Sequence, residues 1–285
     1  MKNNSFAILI NSCDAYSDVW TPFFRLLEKT WPQAREHEIF LNTETKQYKD
    51  PFFDVKVLNC LDNKAIYQWG RRLLQAIDRI ESDNILFLLE DFFFEEPVRY
   101  EEIDKCVKYL NENKEISVFG LTSQMECADA SYCELHKDIR FPGYVIRKQK
   151  VGFKYNAGPS LWRKSSLKRL IFKRDTPWGW EFFGNFRTWY SSDKIYGRAC
   201  DYQPVFVYDI IHGGAVHRGK WTEKSVQEVM RKYNIDIDLS IRGIEKEADF
   251  NPLGNTPKPV YKRLSSVIKN RLSILFNVLY GFLLR

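Results

Sequence analysis

The chain has no Cys-x-x-Cys pair. Its six cysteines (Cys13, Cys60, Cys106, Cys127, Cys133 and Cys200) are scattered, with no Cys/His spacing of the kind that holds zinc. That pattern argues against a zinc-ribbon fold or a disulfide framework and suits free thiols in a reducing cytosol. Nor is there an uninterrupted apolar run of the ~20 residues that a membrane-crossing helix needs. The start, Met1-Lys-Asn-Asn-Ser, leads directly into a strand-like run, so no signal peptide is expected. Long low-complexity stretches are also missing, which excludes an extensively disordered chain. Finally, no Asp or Glu follows Asp249, whereas six basic residues do: Lys258, Lys262, Arg263, Lys269, Arg271 and Arg285. Setting those six aside leaves 37 basic residues against 37 acids. The net charge of +6 therefore belongs to the tail. It suits contact with an anionic surface and argues against a nucleic-acid-binding body.

What is present is a chain of 285 residues, 44% hydrophobic and 15% aromatic, enough for one large α/β domain or a domain with a small appendage. Apolar runs without alternation at Phe6 to Asn11, His37 to Asn42 and Val55 to Leu58 read as strands buried on both faces. Helical periodicity covers Val19 to Thr30, with Asp18 or Ser17 as cap and Pro22 in the first turn, and then Ala65 to Ile80. Ile85 to Leu89 reads as a further strand. A helix over Tyr100 to Asn111 and a strand over Ile116 to Leu121 come next. This alternation predicts a doubly wound α/β start to the fold. From Thr122 to Phe141 the pattern weakens, and an irregular insertion is expected. Tyr144 to Ile146, Val151 to Tyr155, Ile195 to Arg198 and Val205 to Ile211 read as strands. Helices are expected over Ser165 to Phe172, from Pro177 behind a Thr176 cap, and over Glu223 to Tyr233 behind Thr222.

In the stretch from Asn84 to Glu95, five apolar residues, Ile85 to Leu89, run straight into Glu90 and Asp91, and Phe92, Phe93 and Phe94 follow. Charges at the carboxyl end of a buried strand lie where open α/β sheets bind their ligands. The plainer reading is that these acids mark the strand's exit into solvent. The phenylalanines weigh against it. An acid pair between apolar runs is partly desolvated and needs a cation or a hydrogen-bonding partner.

Four segments together resemble bacterial GT-A-type (family-2-like) glycosyltransferases of surface polysaccharide assembly. They are Ile8-Leu-Ile-Asn-Ser-Cys-Asp-Ala-Tyr-Ser-Asp, Leu88-Leu-Glu-Asp-Phe-Phe-Phe, Trp178-Gly-Trp-Glu and Gly213-Gly-Ala-Val-His-Arg-Gly-Lys-Trp, and the likeness covers about residues 6 to 235. The resemblance implies a GT-A-like doubly wound mixed sheet flanked by helices. It also implies transfer of a sugar from a nucleotide-sugar donor to a glycan or lipid-linked acceptor. On that resemblance Ser12, Cys13, Asp14 and Thr43 meet the nucleotide, and Arg71, Glu90 and Asp91 reach the donor. The competing and commoner reading makes Arg71 and Arg72 a solvated helix face. Arg218 and Lys220 would neutralise the donor phosphates. Asp91 with His217 would hold a divalent cation, Mn²⁺ or Mg²⁺, whose preference for oxygen ligands suits carboxylate and diphosphate. The family motif is Asp-x-Asp. Here Glu90-Asp91-Phe92 has no second acid at Phe93, which leaves strict metal dependence open. Glu181 is the expected general base of an inverting transfer, with Trp178 and Trp180 as a face for an acceptor sugar. The competing readings are a carboxylate favoured by a helix dipole and tryptophans in the core.

No Gly-rich basic phosphate loop follows the first strand, which weighs against a sugar nucleotidyltransferase. Outside enzymes, the alternative is a catalytically degenerate GT-A-like protein, docked at a membrane as a glycan-binding or assembly partner. The expected division is a transferase domain over residues 1–249, its donor half about 1–121 and its acceptor half about 122–249, followed by a Pro-containing linker and helix over 250–285. In that helix Leu264, Ile268, Leu272, Leu275, Leu279 and Phe282 step by three or four along one side. Ser266, Asn270, Ser273, Asn277 and Gly281 step down the other. A basic amphipathic helix of this kind suits the surface of an anionic membrane, and a cytoplasmic protein peripheral to the inner face of the cell membrane is expected. The competing reading packs the helix on the body or on a second subunit.

Overall fold

The computed structural model describes residues 5–59, 68–122, 130–148, 154–250 and 260–283, the last stretch with its side chains from residue 269. The first half runs β1 (Ala7–Asn11), α1 (Ser17–Thr30), β2 (Glu38–Thr43), β3 (Val55–Asn59), α2 (Trp69–Asp78), β4 (Asn84–Leu88), α3 (Tyr100–Glu112) and β5 (Ile116–Gly120). Next come α4 (Ala130–His136), β6 (Tyr144–Ile146), β7 (Ser160–Arg163), α5 (Lys164–Arg169), α6 (Pro177–Phe183) and β8 (Lys194–Arg198). The remainder is β9 (Val216–His217), β10 (Lys220–Thr222), α7 (Glu223–Tyr233), β11 (Ile244–Glu245) and α8 (Val260–Leu283).

Eight strands form one mixed sheet in the order β3-β2-β1-β4-β7-β5-β8-β6. The first four are mutually parallel, and β5 pairs parallel with β8. Strand β7 runs antiparallel between β4 and β5, and β6 runs antiparallel to β8 at the edge. This is the doubly wound mixed sheet flanked by helices that the sequence pattern and the resemblance implied. Strand order reverses between β1 and β4, so the carboxyl ends of these two strands bound the crevice where such sheets bind ligands.

The unbroken apolar runs have a direct cause. Ile8, Ile10, Leu86 and Leu88 feed the core layer that also holds Phe23 and Leu27 of α1. Ala7, Leu9, Ile85 and Phe87 feed the opposite layer, with Leu73 and Ile77 of α2 and Trp180 of α6. Both faces of β1 and β4 are covered, so neither strand can alternate.

Several local expectations change. Helix α1 starts at Ser17 with Tyr16 as its N-cap and no side-chain cap, so Pro22 lies inside the helix, past its first turn. Asp18 does not cap; its two carboxylate oxygens accept from Arg242 at 2.6 and 2.7 Å. Residues 205–211 form no strand. Val205 and Phe206 both donate to the Leu121 carbonyl at 2.8 and 3.2 Å, and Glu95 donates to Val207 at 2.8 Å, so the segment spans two elements irregularly. Thr222 is the N-cap residue of α7, but its hydroxyl donates to the Gly214 carbonyl at 3.2 Å. The expected start of α2 before Gln68 and the expected strand residues 151–153 lie outside the described residues, as do Cys60 and Cys127. The other four cysteines are free thiols.

Candidate active site

The three phenylalanines after the acid pair fix where the acids sit. All three are buried. Phe92 packs on Tyr208 at 4.6 Å between ring centroids, Phe93 on Trp221 at 6.0 Å and Phe94 on Phe206 at 4.9 Å. The end of β4 is thereby clamped to the segment 205–222. A second clamp is polar. Ala215 donates its N–H to the Asp91 carbonyl at 2.7 Å. Gly214, at φ +121°, lies so close that a Cβ there would stand 2.6 Å from that carbonyl oxygen. Only glycine tolerates both the torsion and the approach.

The His217–Lys220 register pair closes a two-residue hairpin between β9 and β10. Its central residues, Arg218 at φ 50° and Gly219 at φ 81°, both have positive φ, as the twist-matched hairpin turn requires. The turn presents Arg218 toward a cleft of about 870 Å³. Asp91, Glu181, Trp178, His217 and Arg218, all expected from the sequence, line this one cleft. Tyr16, Asn156, Tyr208 and His212 line it too.

Glu181 projects from α6, whose start follows the expected design: Thr176 caps it by accepting from Gly179 N–H at 3.0 Å, with Pro177 in the first turn. Burial raises the Glu181 pKa, and the Ala157 N–H, donating to Oε1 at 2.7 Å, opposes the rise. A carboxylate with a raised pKa is a better proton acceptor when ionised. Burial likewise raises the pKa of both Glu90 and Asp91, and the neighbouring Asp91 charge raises that of Glu90 further. Asp91 Oδ1 is buried without a hydrogen-bond partner. Arg242 acts on Asp91 at longer range and favours its ionised form. Burial, then the charges of Asp91 and Glu90, push the Tyr16 phenol up to about 12, so it stays a neutral hydrogen-bond donor in the cleft.

Ser12, Cys13, Asp14, Thr43 and Glu90 gather beside the cleft, at the carboxyl ends of β1, β2 and β4, and do not line it. Ser12 is buried; its hydroxyl accepts from Trp20 Nε1 at 2.6 Å and favours ionisation of Glu90. The Cys13 thiol is pushed up by burial and by Glu90, with Arg72 opposing. The Asp14 carboxylate accepts the backbone N–H groups of Glu44, Thr45 and Lys46 at 3.0–3.2 Å, so it closes the turn after β2. Thr43 is buried, its hydroxyl donating to the Lys46 carbonyl at 3.0 Å. The basic residue that reaches this cluster is Arg72, which donates to the Ser12 carbonyl at 2.9 Å and pairs with Glu44. Arg71 is half-buried on the same helix, about 100° away around the axis. Lys220 is exposed on β10 and does not line the cleft.

One expected residue leaves the site altogether. Trp180 is 0% exposed and packs among Trp69, Phe87, Tyr155 and Trp162, its Nε1 donating to the Leu170 carbonyl at 3.1 Å. Trp178, by contrast, is 80% exposed at the cleft. Residues two apart on a helix point about 200° apart, so both rings cannot serve one acceptor face. That spacing was visible in the sequence.

The donor set fits a divalent ion under one condition. Among the described residues no three His, Cys, Asp or Glu side chains gather as a metal site. Asp91 offers an unpartnered oxygen, and His217 has its Nδ1 on Glu245 Oε2 at 2.5 Å, which leaves Nε2 for a ligand and gives it a carboxylate partner of the kind metal-binding histidines use. Two such ligands suit an ion whose shell is completed by substrate phosphates and water. His212 lines the same cleft and is held the same way, its Nδ1 on Asp209 at 2.6 Å, with Nε2 facing Glu247 Oε2 at 3.3 Å.

No protein-family model and no curated protein sequence matches this chain. Among solved structures, the S. aureus protein TarS is similar at 13% identity in two crystal structures. One covers 70% of this chain and 60% of its own, with TM-score 0.41. The other covers 85% of this chain and 41% of its own, with TM-score 0.44. A CMP:2-keto-3-deoxy-manno-octonic acid synthetase complexed with CTP is similar over 57% of this chain and 76% of its own, at 13% identity and TM-score 0.32. The chain thus spans 60% of one TarS chain and 41% of the other. Likeness at this level assigns no activity; the chemistry rests on the residues of the cleft.

Proposed function

We propose that this protein is a glycosyltransferase that moves a sugar from a nucleotide-sugar donor to a hydroxyl of a glycan or lipid-linked acceptor, with inversion. One observation carries the reading. Two carboxylates held out of bulk water, Asp91 at the switch point of the sheet and Glu181 on α6, line the same cleft from opposite halves of the chain.

The roles follow from the chemistry. The acceptor hydroxyl gives its proton to Glu181, whose other oxygen is held by Ala157 N–H. The acceptor oxygen then bonds to the anomeric carbon as the bond to the donor diphosphate breaks, the diphosphate leaving with the electron pair. Charge growing on the leaving group needs positive partners already in place. Arg218 in its strained turn supplies one. A divalent cation bound by Asp91 and His217 would supply further neutralisation of the diphosphate. Tyr16 donates a hydrogen bond into the cleft, and Trp178 offers a flat apolar face for the acceptor ring. The cluster of Ser12, Thr43 and Arg72, with the turn that Asp14 closes, would form the nucleoside side of the donor site.

The test is a panel of nucleotide sugars, scored for thermal stabilisation and then for donor hydrolysis or transfer with Mn²⁺ or Mg²⁺ present. A binder raises the melting temperature by mass action. If no nucleotide sugar stabilises the wild-type protein and none is turned over, the transferase reading fails and a glycan-binding or assembly role takes its place.

A further inference from the structure

Helix α8 docks with the unexpected side inward. An amphipathic helix that completes a core buries its apolar stripe. Here the buried residues are Asn277 and Gly281. Asn277 Oδ1 accepts from Arg187 Nε at 2.5 Å. Gly281 approaches so closely that a Cβ would stand 2.7 Å from the Arg187 carbonyl oxygen. Arg187 is itself buried and holds Asp175 with two bonds of 2.7 Å. Phe172 and Tyr280 pack edge to face at 4.6 Å. The polar and small side of the helix is therefore the docking side. The opposite stripe, Leu272, Leu275, Phe276, Leu279 and Leu283, is left 54–83% exposed.

We propose that this outward stripe of α8 seats on an anionic lipid bilayer. Three observations favour a lipid surface over a second copy of the chain. First, Lys269 and Arg271 are exposed and, at about 100° per residue, fall on opposite edges of the apolar stripe, where long cationic side chains reach headgroups. Second, the segment after Asp249 carries six basic residues and no acid, so two copies of this face would repel each other. Third, the exposed Lys173 and Arg174 follow Phe172, which touches Phe276 and Tyr280, and they extend the positive charge onto the body. No helix among the described residues is long and apolar enough to cross a membrane, and the Asn277 and Gly281 contacts hold α8 lengthwise along the body. The helix packs against α6, which carries Trp178 and Glu181 of the cleft. Bilayer contact thus brings the acceptor side of the cleft next to the lipid. The docking itself does not depend on the transferase reading.

The experiment is co-sedimentation of the full chain with phosphatidylcholine vesicles, with and without phosphatidylglycerol, alongside sedimentation velocity without lipid. The expected result is binding that requires phosphatidylglycerol and weakens with salt. Replacing Leu272, Leu275 and Leu279 together by Gln lowers vesicle affinity by a factor on the order of tenfold or more. Replacing Lys269 and Arg271 by Gln lowers it by a factor on the order of thirtyfold on phosphatidylglycerol vesicles only. These side chains are exposed, so circular dichroism and the melting temperature stay at wild-type values. Absence of vesicle binding overturns the proposal. So does a dimer in solution that the Leu substitutions dissociate, because the stripe then belongs to a second copy.

Discussion

Replacing Gly214 by Ala tests the clamp that holds Asp91 at the cleft. The residue has φ +121°, a torsion that costs a side-chain-bearing residue about 1–3 kcal/mol. The new methyl would stand 2.6 Å from the Asp91 carbonyl oxygen, closer than Cβ atoms come, so one of the two segments has to move. Movement breaks the 2.7 Å bond from Ala215 N–H to that oxygen, worth about 0.5–1.5 kcal/mol net. The sum is roughly 2–4 kcal/mol, which for a chain of this size lowers the melting temperature by about 3–7 °C. Gly213→Ala is the matched control. It also has positive φ, +78°, but nothing lies within 4 Å of its added Cβ. Its cost is the torsion alone, about 1–2 kcal/mol. Calorimetric melting of both variants, followed by titration with whichever nucleotide sugar stabilises the wild type, reads stability and site geometry separately. Gly214→Ala is expected to melt lower than Gly213→Ala and to bind the donor more weakly. Equal melting temperatures with unchanged donor affinity would refute the claim that close packing on Asp91 positions it.

Other outcomes follow from the same contacts. Glu181→Gln keeps the Ala157 bond to Oε1 and donor stabilisation but loses transfer by about 10²–10⁴-fold; full activity in a transfer assay would remove the base assignment. Because burial raises the folded-state pKa of Glu181 above its unfolded value, its contribution to stability is greatest at low pH and is lost as pH rises through the raised value. Glu181→Gln should therefore melt above wild type near pH 8, with the gap closing as the pH falls, and melting curves across that range check the sign. Trp180→Ala opens a cavity in the core and costs about 3–5 kcal/mol, whereas Trp178→Ala changes stability by about 0.5 kcal/mol or less and raises the acceptor KM. Arg187→Ala takes the guanidinium partner from half-buried Asp175 and buried Asn277, at about 3–5 kcal/mol; limited proteolysis should then cut before α8 sooner than in wild type.

The strand-and-helix alternation of the first half was legible because both faces of the sheet are covered, which forces unbroken apolar strands and amphipathic helices with little ambiguity. The Thr176-Pro177 start of α6 was legible because capping is local chemistry, read within four residues. Local rules failed where a distant partner outbid them. Asp18 had the composition of a cap, but Arg242, more than 200 residues away in sequence, takes its carboxylate in two hydrogen bonds. Asp14 looked like a nucleotide contact, and its oxygens are occupied by the turn after β2. Between Arg71 and Arg72 the choice depends on how α2 is rotated against the sheet, which the packing of its apolar face on β1 and β4 sets.

The amino-acid sequence determined the doubly wound sheet, the exit of β4 into an acid pair, and the chemical character of the last helix. These properties follow from periodicity and composition, which act over a few turns or strands. Only the tertiary structure decided which carboxylates share a cleft, which of two neighbouring tryptophans faces it, and which side of α8 turns inward. Each of those outcomes is a competition between partners distant along the chain. Buried Arg187 could satisfy its guanidinium with Asn277 and Asp175, and leaving a buried charge unpaired costs more than exposing a row of leucines to whatever lies outside.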